Sequence, residues 1–208
     1  ANRRLRSNDA CTPGGEAGFR PERATVVYCN ILKQLYPDVP IIVGGIEASL
    51  RRVTHYDYWD DCLKPSILID SKADLGVYGM GELTMVEIAK AVQSGKKVSE
   101  LTDIQQTFFL QDKKQPPPDF EGETIELVSH EVCLKDKKKY ASNFRHIEEE
   151  SNKKLAARLI QDIGNQRLVI NPPLPTFTTE QIDASFDLPY TRLPHPKYAK
   201  SGVLNPVY

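Results

Sequence analysis

Residues Ile41 to Glu82 read IIVGGIEASLRRVTHYDYWDDCLKPSILIDSKADLGVYGMGE, and the two ends of this stretch share one form. Ile41–Val43 and Leu75–Tyr78 are short apolar runs, and each breaks into glycines followed by an acidic residue: Gly44-Gly45-Ile46-Glu47 and Gly79-Met80-Gly81-Glu82. A β-branched run that ends at glycine is the pattern of a strand buried on both faces of a parallel sheet. Glycine at that point lets the chain turn sharply and lets a ligand or another backbone approach. Ligands of open α/β sheets lie beyond the carboxyl ends of the strands. If the two runs are neighbours, both turns open onto one rim, and that rim is the expected site. Gly44, Gly45, Gly79 and Gly81 would form it, with Glu47 and Glu82 beside them. Arg51 and Arg52 would stand ready to clamp a carboxylate or phosphate. The same residues also fit two ordinary strand-to-helix turns and a solvated helix face. Neither turn is a GxGxxG or a GxxxxGK[ST] fingerprint.

Outward from this stretch the pattern alternates helix and strand. Upstream, Ala24, Val27, Tyr28, Ile31, Leu32 and Leu35 recur at steps of three and four, which predicts a helix with that stripe inward, stopped by Pro37 and Pro40. Downstream, a helix is expected from Glu82 to Gln93 with Met85, Val86, Ala89 and Val92 inward. Thr84 and Glu87 have capping-box spacing, and Gly95 closes the helix. Thr107–Leu110 and Thr124–Val128 read as strands, separated by the break Pro116-Pro117-Pro118, and Ser129 is a candidate helix cap. A long helix is expected from Glu131 to Asp162, with Tyr140, Phe144, Ile147, Leu155 and Leu159 on one stripe. Glu149–Lys153 and Glu150–Lys154 would be i,i+4 pairs on it. Leu168–Ile170 is a last short strand, and from Pro172 onward the chain reads as a proline-rich extended tail through Pro194-His195-Pro196. The expected fold is therefore α/β: a Rossmann-like parallel sheet flanked by helices, with a long C-terminal connector helix and an extended tail. The expected division is residues 1–128 as a partial α/β domain and 129–208 as the connector.

Composition narrows the classes. The 27 basic and 28 acidic residues leave a net charge of −1, which argues for no polyanionic partner, so no nucleic acid is expected. The basic run Lys135–Lys139 has no aromatic interleaving and reads as a charged outer helix face. No apolar run is long enough for a membrane helix, and no leader-like apolar segment follows the basic start at Asn2–Arg6. Cys11, Cys29, Cys62 and Cys133 form no CxxC pair, so free thiols in a reducing, cytoplasmic compartment are expected. His55, Asp57, Asp60 and Asp61 are residue types that ligate metals, but more often such a cluster is turn and cap chemistry. No metal is assigned to it, and no serine or cysteine nucleophile stands beside a base.

These stretches carry a resemblance. Gly44–Arg52, His55–Asp61, Ser71–Asp74 and Tyr78–Glu82 resemble the YgiQ-type radical SAM proteins. So do Thr12–Gly15, Arg20–Thr25, Asn171-Pro172-Pro173 and Leu188–Arg192 with His195-Pro196. The resemblance implies an N-terminal cobalamin-binding-like α/β domain ahead of a radical SAM barrel. That barrel carries a 4Fe-4S cluster on a CxxxCxxC loop and binds S-adenosylmethionine. No cysteines here have that spacing, so the cluster and S-adenosylmethionine are expected in the full-length protein and no cofactor in this portion. Related cobalamin domains present a histidine from DxHxxG. No such motif occurs here, so cobalamin is possible but unsupported. The resemblance also implies a chain that starts inside the first domain and stops short of the barrel, with the barrel of the same polypeptide as its partner. The expected role is accessory, one wall of a substrate or cofactor cavity. A stand-alone phosphate- or cofactor-binding module and an interaction scaffold using Tyr56–Trp59 are the alternatives.

Overall fold

The computed structural model describes residues 8–9, 15–19, 21–193 and 196. Residues 25–177 form one compact unit, and residues 1–24 with 178–208 group separately. In the larger unit the chain runs α1 (Ala24–Leu35), β1 (Ile42–Val43), α2 (Gly45–Leu50), a hairpin β2 (His55–Asp57) and β3 (Cys62–Lys64), α3 (Ile67–Ser71), β4 (Leu75–Val77) and α4 (Glu82–Gln93). It continues through β5 (Thr107–Asp112), β6 (Thr124–Leu127), α5 (His130–Lys135), α6 (Lys137–Ser151), β7 (Arg158–Ile163) and β8 (Gln166–Ile170). The six-stranded sheet has the order β1-β4-β5-β8-β7-β6, and β2-β3 stands apart from it.

The fold is α/β and Rossmann-like, as expected, but the sheet is mixed. Only β1/β4 and β6/β7 are parallel, while β5 and β8 pair antiparallel with their neighbours. Side chains alternate between two cores, as strand geometry requires. Val43, Phe108, Leu168 and Ile170 join Cys29, Ala48, Ile67 and Ile147 on one side of the sheet. Leu75, Val77, Phe109 and Val169 join Ile88, Leu101 and Ile104 on the other.

The long helix expected over Glu131–Asp162 is instead two helices and a strand. Asp136 caps α6 through hydrogen bonds from the Lys138 and Lys139 amides, and the helix stops at Ser151. Lys153 folds back onto Glu150, and the Ala157 amide donates to the same carboxylate at 2.7 Å. The expected 149–153 and 150–154 pairs are thus replaced by Arg145–Glu149 and Glu150–Lys153. Leu155 is left exposed, and Leu159 is buried in β7 rather than on a helix. A division at 128/129 would cut this sheet, since β7 and β8 lie between β5 and β6.

Two helical stripes also differ from expectation. On α1, Cys29 is buried while Val27, Tyr28, Ile31, Leu32 and Leu35 face out. On α4, Thr84 and Ile88 are buried while Met85, Val86, Ala89 and Val92 face out. Gly81, not Thr84, stands at the start of α4, and the Thr84 hydroxyl is turned to the Gln105 carbonyl. Ser129 does cap α5. In the smaller unit the expected extended tail holds α7 (Thr179–Phe186), which Thr178 and Gln181 cap reciprocally. Cys11, Thr12–Gly14, Arg20, Pro194 and His195 lie outside the described residues.

Candidate functional site

The two glycine turns do meet. β1 and β4 pair in parallel, Ile42 opposite Leu75 and Val43 opposite Gly76, so both strands end on the same side. The turns line a cavity of about 390 Å³ with Gly44, Gly45, Gly79, Gly81 and Glu82 at the rim. Ile42, Val43, Val77 and Met85 make its walls. Gly45 and Gly79 hold φ of +78° and +69°, a region costly for any residue with a Cβ.

Ser49 ties the turns together. Its hydroxyl donates back to the Gly45 carbonyl at 2.8 Å and accepts from the Gly79 amide at 3.0 Å. Gln106 fixes the second turn from below, donating its amide to the Met80 carbonyl and accepting the Leu174 amide at 3.3 Å. Neither residue follows from the sequence pattern. Ser49 reads there as one polar helix position, and Gln106 lies in a loop at φ +63°, outside any periodic run.

The charged candidates divide. Glu47 and Arg51 pair along α2 at 3.0 Å, and Glu47 also accepts from the Thr25 hydroxyl. Arg51 reaches Asp57 at 3.8 Å as well, so its guanidinium is engaged away from the rim. Arg52 lies over the Tyr78 ring, 4.9 Å from its centroid, and donates to the Ser49 carbonyl. Its Nε is buried with no hydrogen-bond partner, and burial lowers its pKa from the usual guanidinium value. Arg52 lines a different cavity, of about 240 Å³, with Thr54, His55, Tyr140 and Glu148. The rim itself therefore carries backbone groups and one carboxylate, Glu82.

The His55–Asp61 cluster is turn chemistry. The Asp57 carboxylate accepts the Trp59 and Asp60 amides at 3.0 and 3.1 Å, and Asp60 pairs with Lys64. The Tyr56 hydroxyl donates to Asp61, and His55 Nδ1 lies 3.1 Å from the Val53 carbonyl. Among the described residues no group of three or more His, Cys, Asp or Glu could hold a metal ion. The described thiols do not fit an iron–sulfur cluster. Cys29 is buried in α1, Cys133 is buried against Asn143 and the Val128 carbonyl, and Cys62 is exposed on β3. Burial pushes the Cys29 and Cys133 thiols up, away from the thiolate that ligation needs. Nor does an imidazole line the glycine cavity to meet a cobalt.

An α/β unit with a glycine-rimmed cavity at the end of a parallel strand pair is the class this geometry defines. The chain belongs to the Radical SAM N-terminal family, whose pattern it matches over residues 1–206. Its relatives include a UPF0313 protein of Porphyromonas gingivalis, 56% identical over 95% of this chain and 31% of that protein. A UPF0313 protein of Bacteroides thetaiotaomicron is 52% identical over 95% of this chain and 33% of its own length. One of Methanocella arvoryzae is 43% identical over 95% and 32%. The chain thus spans about a third of the length of the curated relatives it matches. No solved structure matches it. No described helix is long and apolar enough to cross a membrane.

Proposed function

We propose that this chain is the accessory, non-catalytic portion of a radical SAM iron–sulfur enzyme, and that its glycine-rimmed cavity forms part of a substrate or cofactor wall. The supporting observation is the placement of the described thiols: Cys29 and Cys133 are buried in separate helices, and Cys62 sits on the β2–β3 hairpin. The 4Fe-4S cluster and S-adenosylmethionine, which together supply radical chemistry in such enzymes, then belong to another part of the longer polypeptide. The role of this chain's residues is to shape and dry one side of a cavity. Gly44, Gly45, Gly79 and Gly81 allow close approach, Ser49 and Gln106 hold the turns in place, and Glu82 offers a carboxylate acceptor.

Anaerobic reconstitution with iron and sulfide tests the division of labour. The intact Porphyromonas relative is expected to take up a four-iron cluster, and this chain alone is not. A stoichiometric cluster on this chain overturns the proposal. The alternative, a stand-alone phosphate- or cofactor-binding module, draws on the start of α4, where Gly81 provides no side-chain cap beside the cavity. Micromolar binding of cobalamin or a nucleotide to this chain, lost in Gly81→Val, would favour that reading.

A further inference from the structure

We infer that the β1 edge of the sheet, with the outward stripes of α1 and α4 on either side of it, is a docking surface for a β-strand and adjoining helix from the remaining length of the longer polypeptide. β1 is terminal in the strand order and pairs only with β4 among the described residues. It is apolar, Ile42-Val43 preceded by Ile41. Apolar strands paired in parallel are ordinarily covered on both faces.

The helices beside it say the same independently. α1 packs on the core that holds Val43, yet Val27, Tyr28, Ile31, Leu32 and Leu35 remain between 36% and 64% exposed on the side away from Cys29. α4 packs on the opposite core, which Ile42 joins, yet Met85, Val86 and Val92 remain between 42% and 50% exposed. Met85 lines the glycine cavity with Ile42 and Val43, which places this flank of α4 on the β1 side. Two helices on two faces of one sheet, both apolar outward, flank an open apolar edge, and grouped exposed apolar side chains of this sort mark an interface.

The occupant follows from length. The relatives match 95% of this chain but carry about twice as much again. A strand from the same polypeptide reaches the edge at high effective concentration. A second copy would meet the same two-residue strand without that advantage, so the few ladder bonds it offers favour the segment already tethered. The added strand would extend the sheet past β1, and its helix would cover an outward stripe. This surface does not depend on what the glycine cavity binds.

The test uses this chain alone and the intact Porphyromonas relative with this chain substituted for its matching stretch. Amide exchange is read at Ile42, the β1 amide on the side away from β4, and maleimide labelling, followed by peptide mass spectrometry, at Ile31→Cys and Val92→Cys. In the chain alone, both thiols should label fast and the Ile42 amide exchange fast. In the intact polypeptide, both labelling rates should fall about tenfold or more and the Ile42 amide gain protection. Unchanged labelling at either thiol, or an Ile42 amide that still exchanges freely, overturns the inference. Concentration-dependent β1 protection in the chain alone also overturns it, by placing a second copy at the edge. The exchange measurement needs no substitution, so it stands if a variant folds poorly.

Discussion

The two halves of the sheet are finished to different degrees. In the β5-β8-β7 half, polar groups are sealed in pairs. Arg158 and Asn171 are each 1% exposed. Arg158 Nε donates to Asn171 Oδ1 at 3.1 Å, its Nη1 to the Pro118 carbonyl, and its guanidinium lies 4.4 Å from the Phe120 ring centroid. Asn171 in turn donates to the Thr102 and Ile104 carbonyls and to the Thr107 hydroxyl. In the β1-β4 half, the strands are two and three residues long, the turns are glycine, and the flanking helices turn apolar stripes outward. The first half is closed by its own side chains; the second leaves its edge and its helical stripes exposed. Tyr78 joins them, its hydroxyl donating to the Asn171 carbonyl at 2.6 Å.

The hardest blow to this contrast falls on the finished half. Asn171→Leu leaves the buried Arg158 Nε without its acceptor, and a buried polar group left unpaired costs roughly 1–3 kcal/mol, more when it is charged. The Thr102 and Ile104 carbonyls each lose one donor but keep Arg158 Nη2 and the Thr107 hydroxyl. Urea denaturation is expected to show a loss of about 3 kcal/mol or more. A loss below about 1 kcal/mol would mean the network is not what secures β8.

Next comes the seam. Gly76 faces Phe108 so closely that a Cβ there would lie 2.1 Å from the ring, and Phe108 is fully buried with no room to swing. Gly76→Ala is expected to cost about 1–3 kcal/mol by overpacking. Gly45→Ala meets nothing within 4 Å, so only its backbone strain counts, about 1 kcal/mol. A reversal of that order in thermal or urea unfolding would show that the rim, not the seam, is the tighter place.

What the sequence disclosed follows the same line. The two glycine-ended runs, the span of α4 and the β5 and β6 strands are written locally, in β-branched runs, glycine and periodicity. The inward faces of α1 and α4 are not, because the apolar stripe normally marks the core and here it marks an outer surface. The β7–β8 hairpin was hidden because Leu155 and Leu159 continue the helical spacing of α6, and a short apolar run cannot be assigned by period alone. Gly164-Asn165 between two apolar runs was the available clue, since that pair forms the two-residue loop that joins Ile163 to Gln166. Of the site, the glycines converge as read. The arginines do not, because Glu47, Asp57 and Tyr78 claim them through contacts that sequence spacing does not encode.

Acid should act mainly through His55 and His130. Burial lowers both imidazole pKa values from the usual range, with the Val53 carbonyl opposing the shift at His55. His130 Nδ1 lies 3.0 Å from the Thr54 hydroxyl, which also donates to Gln161. A histidine whose folded pKa is depressed takes up its proton more readily when unfolded. Stability is therefore full above the unfolded value of about 6.5 and falls as pH drops through it toward the folded value. The urea midpoint is expected to fall between about pH 7.5 and pH 5.5, and His130→Gln should flatten that slope. An unchanged slope in the variant would remove His130 from the account.

The smallest expected effect is the most pointed. Ile31 is apolar, on a helix and in a regular stripe, so a core reading predicts that Ile31→Lys costs several kcal/mol, as buried leucine and isoleucine truncations do (about 2–5). The structure exposes it, so the expected change in this chain is within about 0.5 kcal/mol, with improved solubility. Val169→Ala, at a fully buried position in the other half, is the contrast and should cost about 1–3 kcal/mol. Equal losses from the two substitutions would place the α1 stripe inside the fold and erase the distinction between the halves. A near-silent Ile31→Lys beside a costly Val169→Ala would show that the stripe contributes nothing to the stability of this chain, as a surface held for another segment should.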